Sequence, residues 1–120
     1  MKKVFLLISV IGIFSCSNEK NKHVFHYLIT GSSTKASDLY GIMGPGIKFD
    51  SPVIDIPFEV THDVYYVGKA LDYELRIADT DTSHKYLIKI FIDDKLMDQA
   101  TYYDANTTPP SVCVKGQFVQ

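Results

Sequence analysis

Cysteine is scarce in these 120 residues: only Cys16 and Cys113 occur, and their surroundings differ sharply. Basic side chains are also outnumbered, with 12 Lys and Arg against 14 Asp and Glu, a net charge of −2 with neutral histidines. A phosphate backbone calls for a basic patch, so this balance excludes nucleic acid as a partner. The densest basic segment, Lys85 to Lys95, is interrupted by Asp93 and Asp94. No apolar run reaches the roughly 20 residues of a spanning helix. The longest, Val4 to Phe14, gives way to polar Ser17-Asn18-Glu19-Lys20. No segment carries an apolar stripe of period 3.6, which leaves a helical fold without a face to bury. The motifs G-x-S-x-G and H-E-x-x-H and a phosphate-cradling glycine loop are missing too, which removes the commonest hydrolase and nucleotide signatures.

What is present starts with an address. Lys2 and Lys3 precede the apolar run and Ser15-Cys16 ends it, the layout of an export signal with a small residue before its processing point. Ile13-Phe14-Ser15-Cys16 resembles a lipobox. In lipoproteins of that kind the signal is removed in front of the cysteine, which is then acylated. The resemblance implies a signal peptide over 1–15, a lipidated Cys16 with its tether over 16–22, and a folded domain over 23–120. The mature chain, Cys16 to Gln120, has 105 residues and 10 basic against 14 acidic side chains, a net of −4 from 10 − 14. One small domain fits that length. An anionic bilayer does not attract such a surface, so acyl chains on Cys16 must do the anchoring. With Cys16 acylated, Cys113 has no internal disulfide partner. Ser17 to Lys22 contain no apolar side chain and form a tether whose six extended residues reach at most about 20 Å. Enterobacterial lipoproteins held at the inner membrane carry aspartate after the cysteine; Ser17 stands there, which by analogy favours the outer membrane. The Ser-Asn-Glu-Lys segment also resembles the export signals of Bacteroidota surface lipoproteins.

From His23 onward the pattern has period two. In Leu71-Asp72-Tyr73-Glu74-Leu75-Arg76-Ile77 every odd position is apolar and every even one charged, so one face of a strand is buried and the other wet. Phe58, Val60, His62 and Val64 alternate with Glu59, Thr61 and Asp63 in the same way, and Tyr86, Ile88, Ile90 and Ile92 form another apolar row. His23 to Thr30, Leu39 to Met43, Ile47 to Ile54 and Ser111 to Val119 are further runs rich in β-branched and aromatic residues. Between the runs lie GSSTKAS, GPG, ADTDTSHK and DANTTPP, all turn formers. Seven to eight short strands predict an all-β fold, a small antiparallel Ig-like β-sandwich without a second domain.

KIFIDDKLMDQAT predicts a hairpin with a two-residue turn at Asp93-Asp94. That turn sets Ile92 across from Lys95, Phe91 from Leu96, Ile90 from Met97 and Lys89 from Asp98, pairing apolar with apolar and opposite charges with each other. Asp94 must then accept a positive φ, which leaves the turn type open.

YLITGSSTKASDLYG, IPFEVT and IKIFIDDKL, taken together, resemble the MmpS-like transport accessory proteins and the small lipoproteins akin to them. In that family a strand ends in Thr-Gly before a second strand, a proline and an aromatic precede an alternating run, and a hairpin has the form V-D-G-K. The resemblance covers nearly all of residues 25 to 119. It implies a small β-sandwich and a membrane-tethered partner of large RND-type exporters that works by contact rather than by chemistry. The chain departs from the family in its lipobox, which replaces a transmembrane helix, and in Asp94, which replaces the turn glycine. Some relatives carry cysteines at the positions of Ile88 and Cys113. The resemblance therefore implies that Cys113 faces the core against Ile88; alternation alone equally allows Val112 and Val114 inside and Cys113 outside.

His23, His26, His62 and His84 offer bases or metal ligands, but His23 and His26 are three apart and fall on opposite faces of a strand. Asp79 and Asp81 in ADTDTS supply oxygens of the kind calcium accepts, without the glycine and downstream glutamate of an EF-hand loop. The residues thus point to no enzyme, no cofactor and no metal. Tyr65-Tyr66 and Tyr102-Tyr103 suggest a contact surface, each pair sending one ring inward and one to solvent. Two functions stand. The first is an envelope-anchored lipoprotein acting as a protein-binding accessory module, with an exporter as the partner the resemblance names. The second is a freestanding Ig-like module that binds a glycan or other extracellular ligand.

Overall fold

The computed structural model describes residues 22–66, 68, 70–104 and 106–119. Cys16 and residues 1–15, expected to be a signal peptide, lie outside the described residues. Eight strands follow in order: β1 Lys22–Gly31, β2 Lys35–Met43, β3 Ile47–Asp55, β4 Phe58–Tyr65, β5 Ala70–Ala78, β6 Tyr86–Ile92, β7 Lys95–Ala100 and β8 Ser111–Val119. They form two four-stranded antiparallel sheets, sheet A in the order β4-β1-β6-β7 and sheet B in the order β3-β2-β5-β8. The expected small β-sandwich is the fold of the chain.

The alternation read from the sequence decides which faces meet. Leu71, Tyr73, Leu75 and Ile77 of β5 are buried against Phe25, Tyr27 and Ile29 of β1 and Tyr86, Ile88, Ile90 and Ile92 of β6 in one core. Each such aliphatic side chain contributes about 1.5–3 kcal/mol relative to exposure. Inward aromatics are accommodated by glycines directly across the ladder: Tyr86 lies on Gly31, Phe49 on Gly41 and Tyr73 on Gly116. A Cβ at Gly41 would sit 2.1 Å from the Phe49 ring, so the close approach requires glycine there.

Only β2–β3 and β6–β7 are hairpins within a sheet; the other connections cross between sheets, which gathers the loops at two ends. The proximal end holds the start of β1, the Gly44–Gly46 turn, the β4–β5 connection, the Asp93-Asp94 turn and the end of β8. The distal end holds Ser32–Thr34, Ile56-Pro57, residues 79–85 and residues 101–110. Ten-residue β1 runs from one to the other, a span of roughly 30 Å.

The Asp93-Asp94 turn forms as expected, with φ of 53° and 66°, the both-positive pattern of a type I′ hairpin. Its first residue is fixed to β1. Asp93 Oδ1 accepts from the Val24 N–H at 2.9 Å, Asp93 Oδ2 lies 2.7 Å from His23 Nδ1, and the Asp93 N–H donates to the Val24 carbonyl at 2.9 Å.

Beyond the turn the expected register is corrected. Ile92 opposes Lys95 and Phe91 opposes Leu96, but a bulge follows, so that Ile90 opposes Asp98 and Lys89 opposes Gln99. The Lys89–Asp98 pair is not made. Met97 and Ala100 both pack on the core, and residues three apart cannot share a face in a regular strand. One inserted residue restores them to the same side. It also aims Asp98 at the Tyr73 hydroxyl, which donates to it at 3.3 Å.

Strand β2 repeats the device. It starts at Lys35, inside the stretch read as a loop, and the β2–β5 register shifts between Ser37 and Tyr40 around Asp38 at φ 51°. Ala36 and Leu39, again three apart, are thereby both buried.

Cys113 is the second correction. It is exposed, while Val112 and Val114 are buried, because β8 pairs with β5 in the register Ile77–Val112, Arg76–Cys113 and Leu75–Val114. Cys113 therefore shares the outer face of sheet B with Arg76 and does not meet Ile88, which is buried in sheet A as expected.

Candidate functional site

Strands β1 and β6 are central in sheet A and apolar on both faces. Phe25, Tyr27 and Ile29 point into the sandwich, so the residues between them, Val24, His26 and Leu28, point out; Leu87 and Phe91 of β6 do the same. The register aligns them across the sheet. His26 lies opposite Phe91 and stacks on it, with ring centroids 5.5 Å apart and planes at 23°, and Phe91 lies opposite Leu96 of β7, which is 48% exposed. Lys89 of β6 stands opposite Leu28, between Leu87 and Phe91, and so divides these apolar side chains, while Glu59 and Thr61 of β4 and Gln99 of β7 border them; Glu59 Oε2 is 3.1 Å from His26 Nε2. Among the described residues no further layer packs on this face. Two stacked sheets need only one apolar face each, so the core between them does not account for these residues.

The outer face of sheet B is polar by contrast. Asp50, Tyr40, Arg76 and Cys113 form one row across β3, β2, β5 and β8, followed by Lys48, Ile42, Glu74 and Lys115. The Arg76 guanidinium lies 5.3 Å from the centroid of the Tyr40 ring, a cation–π contact. Beside it is an open concavity of about 510 Å³ whose walls include Asp38, Asp50, Ser51, Arg76 and Thr107. The Cys113 thiol in this row has its pKa pushed up, by burial among its neighbours first and by the Glu74 carboxylate second. That is the reverse of what a nucleophilic cysteine requires.

At the distal end the ADTDTSHK loop closes on itself. Asp79 Oδ2 accepts from the Tyr86 hydroxyl at 2.5 Å and lies 2.8 Å from His84 Nδ1, while Asp79 Oδ1 accepts from the Asp81 N–H at 2.9 Å. Asp81 Oδ1 accepts from the N–H and hydroxyl of Ser83 at 3.0 and 2.6 Å. These carboxylate oxygens, the candidates for calcium, are thus turned to donors within the loop. Burial opposes ionisation of Asp79, but the donors from Tyr86, Asp81 and His84 together hold its pKa below the usual carboxylate value. The hydrogen bond to Asp79 raises that of His84. Burial, then the Asp79 carboxylate, pushes the Tyr86 phenol up to about 12.

The tyrosines singled out in the sequence do not form one surface. Tyr65 is opposite Lys22 at the proximal end. Tyr103 is at the distal end, half-buried against Tyr86 with centroids 6.5 Å apart, and its hydroxyl donates to the His84 carbonyl at 2.7 Å. Tyr102 beside it is 87% exposed, so this pair divides between core and solvent as expected. The other pair does not: Tyr65 is 59% and Tyr66 36% exposed, because β4 ends at Tyr65 and strand alternation stops with it. His23 and His26 take opposite faces, His23 against Phe118 with centroids 5.0 Å apart and His26 on the outer patch.

Period-two alternation singles out the inward row of β6 and pairs Phe91 with Leu96, but it does not place Val24, Leu28, Leu87, Phe91 and Leu96 on one shared outer face. The signal that finds them is an absence of alternation: HVFHYLI and YLIKIFI are apolar at nearly every position, as central strands covered on both faces are. The chain matches no protein-family model, and a search of curated proteins returns none similar to it.

Proposed function

We propose that this chain is an envelope lipoprotein, held by acyl chains on Cys16 at the outer membrane, whose sandwich is a non-catalytic accessory module that docks a protein partner on the outer face of sheet A. One observation carries the docking: Val24, Leu28, Leu87, Phe91 and Leu96 share the outer face of sheet A around His26 and Lys89, a mixture of apolar, aromatic and polar side chains of the kind protein interfaces use. The lipobox order of Ser15-Cys16 supports the anchor. The resemblance to MmpS-like accessory proteins supports an envelope partner and names an exporter as its class.

The test is co-purification from cross-linked envelopes. Wild-type protein should bring down a discrete partner that a Phe91→Asp variant with an unchanged melting temperature loses; equal recovery by both removes sheet A from the account. Cys16→Ser should abolish palmitate labelling, and a label that persists refutes the anchor.

A second reading takes the sheet B concavity as a glycan site. Tyr40, Arg76, Asp38 and Asp50 combine an aromatic ring with planar hydrogen-bonding groups, the means by which proteins hold sugar hydroxyls. Saturation-transfer signals from an oligosaccharide that vanish on Arg76→Ala, with partner capture unaffected by Phe91→Asp, favour this reading over the first.

A further inference from the structure

We propose that the proximal end of the sandwich rests in the zwitterionic headgroup layer of the membrane that holds Cys16, with Tyr65, Tyr66 and Val119 in contact with lipid. The inference rests on the lipid-anchor reading and adds to it an orientation and a contact surface.

Chain length selects the end. Cys16 stands six residues before Lys22, where β1 begins, and six extended residues reach about 20 Å at most. The distal end is a further 30 Å or so away along β1. An acylated Cys16 therefore holds the proximal end close to the bilayer.

The proximal end also has the chemistry of an interface. Tyr65 and Tyr66 leave sheet A there, and Val119, the last described residue of β8, lies opposite Ala70 where the same connection enters sheet B. Their exposures of 59, 36 and 70% make them three of the six large apolar residues most open to solvent among the described residues. They come from edge strands of the two sheets, β4 and β8, that end at the same end of the sandwich. A tyrosine ring with a polar tip suits the boundary between headgroups and acyl chains, and the Lys22 ammonium across from Tyr65 can extend toward phosphate.

Charge selects the lipid. The mature chain carries a net of −4 from 10 − 14, and near this end exposed Asp63 and Asp94 offset exposed Lys95, which leaves no basic cluster to draw the domain to a strongly anionic leaflet. Two rings and a valine hold a domain to lipid only weakly, so their contribution is orientation while the acyl chains supply the affinity.

The sequence contains no tryptophan, so a single substitution gives a clean fluorescent reporter. Full-length lipidated protein carrying Tyr65→Trp or Tyr102→Trp is reconstituted into phosphatidylcholine vesicles with or without bromine on the upper acyl chain. Emission from the Tyr65→Trp protein should shift to the blue and lose intensity in brominated vesicles, while that of the Tyr102→Trp protein is unchanged. Both substituted side chains are exposed, so the variants should fold as wild type, and equal melting temperatures check this. Co-flotation with vesicles but no quenching of the Tyr65→Trp protein overturns the orientation alone, as does quenching of the Tyr102→Trp protein. Failure of the wild-type protein to float overturns the anchor and the orientation together.

Discussion

Asp93 is the residue through which a local turn becomes a tertiary connection, and its replacement by alanine has a cost that can be worked out. Three effects coincide. The variant loses the charge-assisted bond to the Val24 N–H at 2.9 Å and the contact with His23 Nδ1 at 2.7 Å, and it puts alanine at φ 53°. A hydrogen bond to a charged group contributes about 1.5–3 kcal/mol when sheltered. With the Asp93 side chain 42% exposed, solvent screening brings each of the two to roughly 1 kcal/mol or less. Alanine at φ 53° costs about 1 kcal/mol over glycine, and part of that over aspartate, whose short polar side chain tolerates the left-handed region better. Asp93→Ala should therefore destabilise by about 2–3 kcal/mol, a fall of roughly 10–15 °C in melting temperature for a domain of this size. Asp93→Gly relieves the backbone term and should recover about 1 kcal/mol of that loss.

The pH dependence has a definite sign. Burial opposes ionisation of Asp93, but His23, the Val24 N–H and Lys95 together hold its pKa below the usual carboxylate value. A depressed carboxylate contributes stability that is present above the unfolded pKa of about 3.9 and is lost as pH falls through the folded value. Thermal unfolding of the signal-free domain at pH 7 and pH 3 is the assay. The gap between wild type and Asp93→Ala should be wide at pH 7 and narrow at pH 3. A melting temperature within about 2 °C of wild type at pH 7 would refute the assignment of Asp93 as the tie between hairpin and β1.

Gly41→Ala should lower stability by about 1–3 kcal/mol, since a Cβ 2.1 Å from the Phe49 ring forces that ring off its place; chemical denaturation measures it. His84→Ala should destabilise at pH 5 and be nearly neutral at pH 9, because a histidine with a raised pKa contributes below its unfolded value of about 6.5 and ceases to as pH rises through the folded one. Paired melting curves at the two pH values check the sign. Cys113 should react with a thiol reagent in the folded domain without denaturant, slowly at pH 7 because its raised pKa leaves little thiolate, and faster at pH 9; protection until unfolding contradicts the β8 register.

The legible parts of the fold were those where chemistry and period agree. In β5 charged and apolar residues strictly alternate, so that strand has no second register to adopt, and in β6 the single charge, Lys89, marks the outer row. Asp93-Asp94 was readable as a turn because both residues tolerate left-handed backbone better than most. The bulges at Asp38 and Met97 were not readable, since each joins core residues three apart, a spacing that period-two reading assigns to opposite faces. Cys113 failed for a different reason. Ser111, Val112, Cys113 and Val114 are all small and admissible inside, so polarity did not choose between the two parities, and pairing with Arg76 did. The apolar outer face of sheet A was visible in principle. It does not stand out from the sequence because a strand apolar on both sides looks, residue by residue, like any buried strand until its sheet partners are known.

The central claim is that the outer face of sheet A carries the partner. Site-specific photocrosslinking in intact envelopes tests it most directly, with the reactive group placed in turn at Phe91 of sheet A and at Lys48 and Thr107 on the outer side of sheet B. The account predicts a discrete protein adduct at Phe91 and none at Lys48 or Thr107. Adducts confined to Lys48 or Thr107, with none at Phe91, would contradict it.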